Sequence, residues 1–172
     1  MPGSHSSLVL MGVSAGGKTT VGRAAAALVG IPFLDADDLH SRENVEKMAS
    51  GIPLDADDRA PWLEAVGARL SAVAPCIMAC SSLTRASRER LRQLAPTTLF
   101  ALLDVPRDVL ARRLAARGGH FMPATLLDSQ LAALEMPTPE ERIVLLDGLQ
   151  PVEVLAAEVA ALVTDARGVH VG

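Results

Sequence analysis

A glycine-rich turn between an apolar run and a helical pattern constrains the fold more than any other feature of this sequence. The turn comprises Gly12, Val13, Ser14, Ala15, Gly16, Gly17, Lys18 and Thr19. This order fits the P-loop pattern at every fixed position. Such a loop points successive backbone N–H groups, and the positive end of the next helix, at phosphate oxygens. The motif therefore predicts a nucleotide-binding α/β fold.

Individual residues of the loop suit separate tasks. Gly12 and Gly17 allow close backbone approach and unusual φ and ψ angles. Lys18 is expected to reach the β and γ phosphates, and the Thr19 hydroxyl is expected to bind Mg²⁺. Thr20, the next residue, is included in the predicted nucleotide site. The alternative is a glycine-rich turn without a ligand, which the complete motif disfavours, although a P-loop alone specifies a nucleotide and not a reaction.

Short apolar runs alternate with longer amphipathic segments along the whole chain. The apolar runs, which we predict to be strands, are residues 7–11, 32–35, 76–80, 98–104 and 143–147. The predicted helices are residues 18–29, 61–73, 87–94, 106–117 and 151–163. This alternation is typical of βαβ units around a parallel sheet.

Proline and glycine mark the boundaries between these segments. Pro61, Pro106 and Pro151 suit the first turn of a helix, where a missing N–H costs nothing. Residues 51–58 and 117–123 are predicted to be mobile connections, because glycine, proline and charged residues interrupt the periodicity there.

Composition and charge exclude several classes of protein. The 172 residues suit one compact α/β domain spanning residues 1–172, and the net charge of −4 comes without blocks of like charge. A basic nucleic-acid surface is therefore not expected. No apolar stretch approaches the roughly 20 residues that span a bilayer, so we expect a soluble cytoplasmic protein without a membrane partner.

Cys76 and Cys80 lie in one predicted strand, too far apart for a disulfide, and are expected to be buried thiols.

Two carboxylates follow the second predicted strand, in the order Asp35, Ala36, Asp37. The carboxyl ends of parallel strands share one crevice, so both should face the phosphate loop. Phosphoryl transfer to an alcohol needs a carboxylate at the hydroxyl, and Mg²⁺ needs acidic groups nearby. We assign Asp37 to the acceptor hydroxyl and Asp35 to a water-mediated metal contact. The alternative is a solvated acidic turn that caps the following helix, a role that suits Asp38 better.

Basic residues supply the remaining candidates. Arg113 and Arg117 are four residues apart, so one helix face presents both towards the following loop. Surface solvation explains them equally well. The third predicted strand ends in Cys80, Ser81 and Ser82, which leaves Asp35 and Asp37 as the expected acidic groups.

Taken together, these residues resemble the gluconate kinase family of small P-loop kinases, and the match covers nearly the whole chain. The blocks that carry the resemblance are residues 10–14, 33–40, 44–54, 57–63, 119–121 and 129–135. The phosphate loop is generic, whereas residues 47–51 and 59–62 are more specific to that family.

The resemblance implies a three-layer P-loop kinase fold. Its five-stranded parallel sheet would have the order 2-3-1-4-5, with helices on both faces, an acceptor-binding region near residues 38–73 and a small lid near residues 117–135. The implied reaction converts ATP and D-gluconate into ADP and 6-phosphogluconate, with Mg²⁺. It also implies a small sugar-acid substrate as partner, and a homodimer.

The resemblance further implies a role for individual residues. Arg113 and Arg117 become arginines that face the transferring phosphoryl group from the lid, and Lys18 and Asp37 complete the catalytic set. The residues near the adenine become Gln150 and Pro151. The acceptor-binding residues become Asp37, His40, Arg59, Arg88, His120 and Gln130.

The sequence departs from that family after the third predicted strand. Thr84 and Ser87 stand where the family usually has a lysine and a tyrosine, while Arg88 keeps its arginine. Acceptor identity therefore stays open among gluconate, another sugar acid and shikimate. A nucleoside monophosphate kinase is disfavoured by the low aromatic content of 2%. A catalytically weak nucleotide-binding regulator is the alternative from a different class.

The motif generates a first prediction. Lys18→Ala should remove most phosphoryl transfer and leave the fold intact, because this lysine acts as a point charge on phosphates. A coupled ADP-release assay measures the turnover, and circular dichroism checks that the secondary structure is unchanged. Turnover close to that of the parent would contradict the P-loop assignment.

Overall fold

Five parallel strands form the centre of the computed structural model, which describes residues 5–117 and 124–165. The strands are β1 (Leu8–Met11), β2 (Phe33–Asp35), β3 (Ile77–Ala79), β4 (Leu99–Asp104) and β5 (Val144–Asp147). Their order across the sheet is β2-β3-β1-β4-β5. The predicted parallel α/β fold and its strand order are therefore confirmed.

Seven helices connect the strands in the described part of the chain. They are α1 (Lys18–Val29), α2 (Arg42–Ala49), α3 (Ala56–Val73), α4 (Arg85–Leu94), α5 (Arg107–Ala116), α6 (Ala124–Ala133) and α7 (Val152–Thr164). Short 3₁₀ turns lie at Ala36–Leu39 and Pro139–Glu141. None of these helices is long and apolar enough to cross a membrane.

Alternation along β1 sorts the core into two layers, one on each face of the sheet. Leu8 and Leu10 pack with apolar residues of α1 and α7, whereas Val9 and Met11 pack with those of α3 and α4. Successive side chains of a strand point to opposite faces, and β1 is buried on both because it lies at the centre of the sheet. The sheet therefore holds the turn that follows β1 between two packed helical layers.

The start of α3 corrects one prediction. Pro61 lies inside this helix and not in its first turn, because the helix already begins at Ala56. The Asp55 side chain accepts from the backbone N–H of Asp58, and the Asp58 side chain accepts from that of Asp55. This capping box starts the helix before the proline, so residues 56–58 belong to a helix and not to the predicted connection.

Two helices were not predicted from periodicity. The short helix α2 begins after Ser41, whose hydroxyl accepts from the backbone N–H of Asn44. Helix α6 follows residues 118–123, which lie outside the described residues. In α2 the buried residue is Asn44, while Val45 and Ala49 are exposed, so no apolar stripe indicates this helix. In α6 the apolar residues are not confined to one face.

The two thiols are buried and free, as predicted for Cys76 and Cys80. Burial raises the pKa of the Cys80 thiol to about 12. The thiol is therefore neutral near pH 7, and it contributes no charge to its surroundings.

The contact between α3 and α4 generates a second prediction. An added Cβ at Gly67 would lie 2.5 Å from the Cβ of Leu94. Rotation of the Leu94 side chain cannot relieve this clash, because a Cβ is attached directly to the backbone. A contact this short lies in the upper part of the about 1–3 kcal/mol that overpacking costs, and the roughly 1 kcal/mol that alanine gains over glycine in a helix leaves a net loss of about 1–2 kcal/mol. Gly67→Ala should therefore lower the Tm by about 2–8 °C.

A double-mutant cycle with Leu94→Gly, which removes the Leu94 Cβ itself, supplies the control. Removing the Leu94 side chain makes room for the new methyl group, so Gly67→Ala should be less destabilising in that background. An equal loss of unfolding free energy in both backgrounds would show that Leu94 is not the cause.

Candidate active site

The phosphate loop joins β1 to α1 through backbone angles that glycine favours. Gly12 has a φ of +146°, and Gly17, which caps α1, has a φ of +95°. A Cβ at Gly12 would lie 3.2 Å from the carbonyl oxygen of Leu103 on β4. The loop therefore closes tightly over the sheet and leads into α1, whose first backbone N–H groups can face an anion.

The ammonium group of Lys18 lies at the centre of this loop. Its Nζ donates to the carbonyl oxygens of Gly12 at 2.8 Å and of Val13 at 3.0 Å. Burial lowers the pKa of Lys18, and the negative charge of Asp37 opposes that change. The loop backbone thus holds the ammonium group of Lys18 in place, near the carboxylates of Asp35 and Asp37.

The two residues predicted to bind metal lie together. The Thr19 hydroxyl donates to Asp35 Oδ2 at 3.2 Å, and Asp35 Oδ1 accepts from the backbone N–H of Asp37 at 3.0 Å. Hydroxyl and carboxylate oxygens are ligands that suit Mg²⁺, which usually keeps several waters and phosphate oxygens as its other ligands. No cluster of three or more His, Cys, Asp or Glu side chains suited to a metal occurs within residues 5–117 and 124–165. The pair therefore fits a hydrated, phosphate-bound ion better than a metal enclosed by protein.

Asp37 lies beyond this pair, next to an aromatic stack. The Nε2 atom of His40 is 3.8 Å from Asp37 Oδ1, and the His40 ring stacks on Trp62 with centroids 4.4 Å apart. The indole N–H of Trp62 donates to the carbonyl oxygen of Ala36 at 2.7 Å. The stack therefore fixes the turn that carries Asp37.

Protein groups around Asp37 change its acidity. Partial withdrawal from bulk water in the cleft raises the pKa of Asp37, although its side chain is 65% exposed; the ammonium group of Lys18 opposes that change, and the charge of Asp35 adds to it. Burial also lowers the pKa of His40, although Asp37 opposes this. A carboxylate with a raised pKa beside a lysine is suited to accept a proton from a bound group.

Two clefts meet at this carboxylate. The first, of about 260 Å³, is formed by the phosphate loop with Asp35, Cys80, Leu114 and Arg117. The second, of about 170 Å³, is lined by residues that include His40, Arg59, Trp62, Leu83 and Gln130. Both clefts include Ser14, Lys18 and Asp37. A group bound in one cleft would therefore meet a group bound in the other at these three residues.

Arg113 connects the phosphate loop to the loop after β5. Its Nη1 is 3.5 Å from the carbonyl oxygen of Ala15 and 3.4 Å from that of Gly16, and its Nη2 donates to that of Gly148 at 3.2 Å. The predicted residues Gln150 and Pro151 follow directly, and the Gln150 amide donates to Asp147. The neighbouring candidate Arg117 lines the first cleft.

Helix α6 also contacts the phosphate loop. The backbone N–H of Ser14 donates to Gln130 Oε1 at 2.7 Å. Because Gln130 also lines the second cleft, one side chain of α6 joins that cleft to the phosphate loop. Arg59, at the start of α3, lines the second cleft from the other side.

Not every predicted site residue joins this group. Arg88 is fully buried against Glu141 and does not line either cleft. His120 lies outside the described residues. Thr84 and Ser87, at the positions of the family's usual lysine and tyrosine, bond to each other at 2.8 Å and cap α4. They therefore take a local structural role.

Trp62 is the main residue of the second cleft that was not singled out in the sequence. It is the last residue of the 59–62 block that resembles the family. It is also the sole tryptophan of the chain and follows Arg59 by three residues. Residues three apart share a helix face, so this spacing was the available signal that both line one cleft.

A P-loop at the carboxyl ends of a parallel sheet, with a second cleft that meets it at a lysine and a carboxylate, defines a small-molecule kinase of the P-loop class. A family model described as an AAA domain matches residues 8–137. A gluconokinase of Gluconobacter oxydans is 43% identical over 155 residues, which cover 88% of this chain and 87% of that protein. The chain belongs to the gluconokinase family.

Solved structures agree with this assignment. A gluconokinase from Sinorhizobium meliloti matches with a TM-score of 0.83 and 44% identity, over 93% of this chain and 94% of that one. A shikimate kinase from Acinetobacter baumannii matches with a TM-score of 0.63 and 20% identity, over 92% of each chain. The second likeness shows a common fold and does not bear on the acceptor.

Proposed function

We propose that this chain transfers the γ-phosphoryl group of ATP to D-gluconate and forms 6-phosphogluconate and ADP. The observation that carries the proposal is the meeting of two clefts at Lys18 and Asp37. The first cleft has the lining that phosphates need, and the second is small and polar enough for a sugar acid. The names of the relatives, which are gluconokinases, support this acceptor.

The first cleft is suited to bind the nucleotide. The loop N–H groups and the ammonium group of Lys18 would bind the phosphates and stabilise the charge that spreads over the γ-phosphoryl oxygens. Arg117 would face the same charge from α5. Arg113, through its contacts with Gly16 and Gly148, would hold the loop beside Gln150 in position for the adenine.

Mg²⁺ would be held by Thr19 and, through water, by Asp35, and it would neutralise phosphate charge. The 3.2 Å distance between the Thr19 hydroxyl and Asp35 supports this assignment. The carboxylate also fixes the direction of the hydroxyl, which leaves the oxygen lone pairs of Thr19 available to a cation.

The second cleft is suited to orient the acceptor. Asp37 would accept the proton of the attacking hydroxyl, and Lys18 on its other side would balance the negative charge of the phosphates. Arg59 would bind the carboxylate of the sugar acid, because a guanidinium group donates two parallel hydrogen bonds to a carboxylate. His40 and Gln130 would bind hydroxyl groups.

An acceptor panel tests the function. Purified protein with ATP and Mg²⁺ should release ADP with gluconate, and it should release far less with glucose, which has the same carbon chain without the carboxylate. Shikimate, other sugar acids and nucleoside monophosphates complete the panel. A higher kcat/KM for shikimate or for a nucleotide than for gluconate would overturn the acceptor assignment and leave the kinase class intact.

The two carboxylates generate a paired prediction. Asp37→Asn keeps the side-chain size but cannot accept the hydroxyl proton, so kcat should fall by about 10²- to 10⁴-fold while nucleotide affinity barely changes. Asp35→Asn should instead raise the Mg²⁺ concentration needed for half-maximal rate. Steady-state kinetics at varied Mg²⁺ separates the two defects, and an exchange of the two behaviours would reverse the assigned roles.

The same carboxylate predicts a pH dependence. The proton acceptor works only when ionised, and partial withdrawal from bulk water raises the pKa of Asp37. Activity should therefore fall, as the pH is lowered, at a higher pH than an ordinary aspartate with a pKa of about 3.9 would give. The residual activity of Asp37→Asn should lack this acidic limb. An unchanged limb in the variant would show that another group titrates.

A further inference from the structure

A buried ion pair lies behind the second cleft and outside both clefts. Arg88 on α4 and Glu141 in the second 3₁₀ turn have side chains that are 0% and 3% exposed. Two parallel hydrogen bonds join them, from Nε to Oε1 at 2.7 Å and from Nη2 to Oε2 at 3.1 Å. Removing charged groups from water in this way is costly, and the fork geometry offsets much of that cost.

Each partner also holds the backbone of a connecting segment. Arg88 Nη1 donates to the carbonyl oxygens of Ser82 at 3.2 Å and of Leu83 at 3.0 Å. Glu141 Oε2 accepts from the backbone N–H of Thr138 at 2.9 Å. Ser82 has a φ of +46°, in the left-handed region that a serine seldom adopts. The guanidinium group therefore stabilises an unfavourable turn at the end of β3.

A second set of bonds joins the same two segments. The backbone N–H of Glu135 donates to the Leu83 carbonyl oxygen at 2.9 Å, and Glu135 Oε2 accepts from the backbone N–H of Arg85 at 2.7 Å. The segment after β3 and the segment after α6 are thus tied at two places. Of these two connections, the Arg88–Glu141 ion pair is buried, and the bond from Arg85 N–H to Glu135 is exposed.

These two segments carry neighbouring walls of the second cleft, and Leu83 packs with apolar residues of α6 in one cluster. Ser81 and Leu83 form one wall, and α6 contributes Leu126, Ser129, Gln130 and Ala133 to the other. Because residues 134–141 continue directly from α6, a shift of that segment moves the wall that α6 forms. The relative position of the two walls therefore depends on how residues 82–85 are held to residues 135–141.

We propose that Arg88 and Glu141 are a positioning pair that sets the relative position of two neighbouring walls of the acceptor cleft. The pair acts through Leu83 and α6 and touches no substrate, which corrects the prediction of Arg88 as an acceptor-binding residue. The choice of acceptor rests on the proposed function, whereas the link between the two walls does not. A buried ion pair adds little net stability compared with apolar packing, so its value here lies in fixing one geometry.

Two conservative variants test the pair through kinetics. Glu141→Gln keeps the shape but turns an N–H₂ group towards the guanidinium donors, and Arg88→Lys keeps the charge but loses the fork. Each should raise the KM for gluconate by about 10- to 100-fold, the effect typical of small displacements in a site. The KM for ATP should change less than about twofold, because the bonds of Lys18 within the phosphate loop and the close approach of Gly12 to β4 hold that loop even where α6 shifts. Arg90→Ala is the matched control, since this exposed arginine of the same helix bonds to Glu64 and Gln93 at the surface, and it should change neither KM.

Hydrogen exchange tests the link without any activity. In Glu141→Gln, backbone amides of residues 82–85 and 134–138 should exchange faster together, while those of residues 12–19 should keep their parental rates. Equal changes in both KM values, or faster exchange in one segment only, would overturn the proposal. So would loss of the cooperative melting transition in both variants, which would make the pair a requirement for folding.

Failure of the proposed function is distinguishable from failure of this inference. If the parent protein does not phosphorylate gluconate, the acceptor assignment fails, and the exchange pattern of Glu141→Gln still decides whether the pair links the walls. If the parent is active but the variant exchanges and reacts like the parent, only the positioning role is lost.

Discussion

The close approach of Gly12 to β4 is the constraint on which the rest of the site depends. A side chain at this position would meet the Leu103 carbonyl oxygen and would force the turn after β1 away from the sheet. With glycine there, the loop turns sharply enough for Lys18 to bond back to the carbonyl oxygens of Gly12 and Val13. Helix α1 then starts where its positive end adds to the field of the lysine. One missing Cβ thereby fixes both the phosphate cradle and the charge at its centre.

The strand order decides which residues can serve that cradle. β3 lies between β1 and β2, so the crevice at the loop is formed by the ends of all three strands. β3 is followed by Cys80, whose pKa is raised by burial to about 12, and its thiol adds no charge behind the loop. The acidic groups come from β2 instead, where Asp35 contacts Thr19 and Asp37 faces the second cleft. The different roles that we propose for Asp35 and Asp37 follow from their different positions at the end of β2.

The sequence predicted what depends on local periodicity and missed what depends on distant partners. The strands, their order and the adjacency of Thr19 to Asp35 followed from the alternation of residues, the P-loop and the family resemblance. The start of α3 was misplaced because the proline signal at Pro61 outweighed the capping box formed by Asp55 and Asp58. Arg88 was assigned to the acceptor because nothing near it in the chain indicates Glu141, which is 53 residues away. A buried partner that far along the chain leaves no local pattern.

The geometry at the start of α4 shows the consequence of Thr84 and Ser87, the two departures from the family pattern. Thr84 and Ser87 close on each other at the start of α4, so the first turn of that helix supplies neither a cation nor a phenol to the second cleft. The lysine and arginine that line this cleft in the described part of the chain are Lys18 and Arg59. Under the proposed function these two residues supply the positive charge for the acceptor, and the relative position of the neighbouring cleft walls then matters more. In the positioning role that we propose, the buried pair holds those walls together, because neither of its charges can move into water without breaking the bonds that hold Leu83.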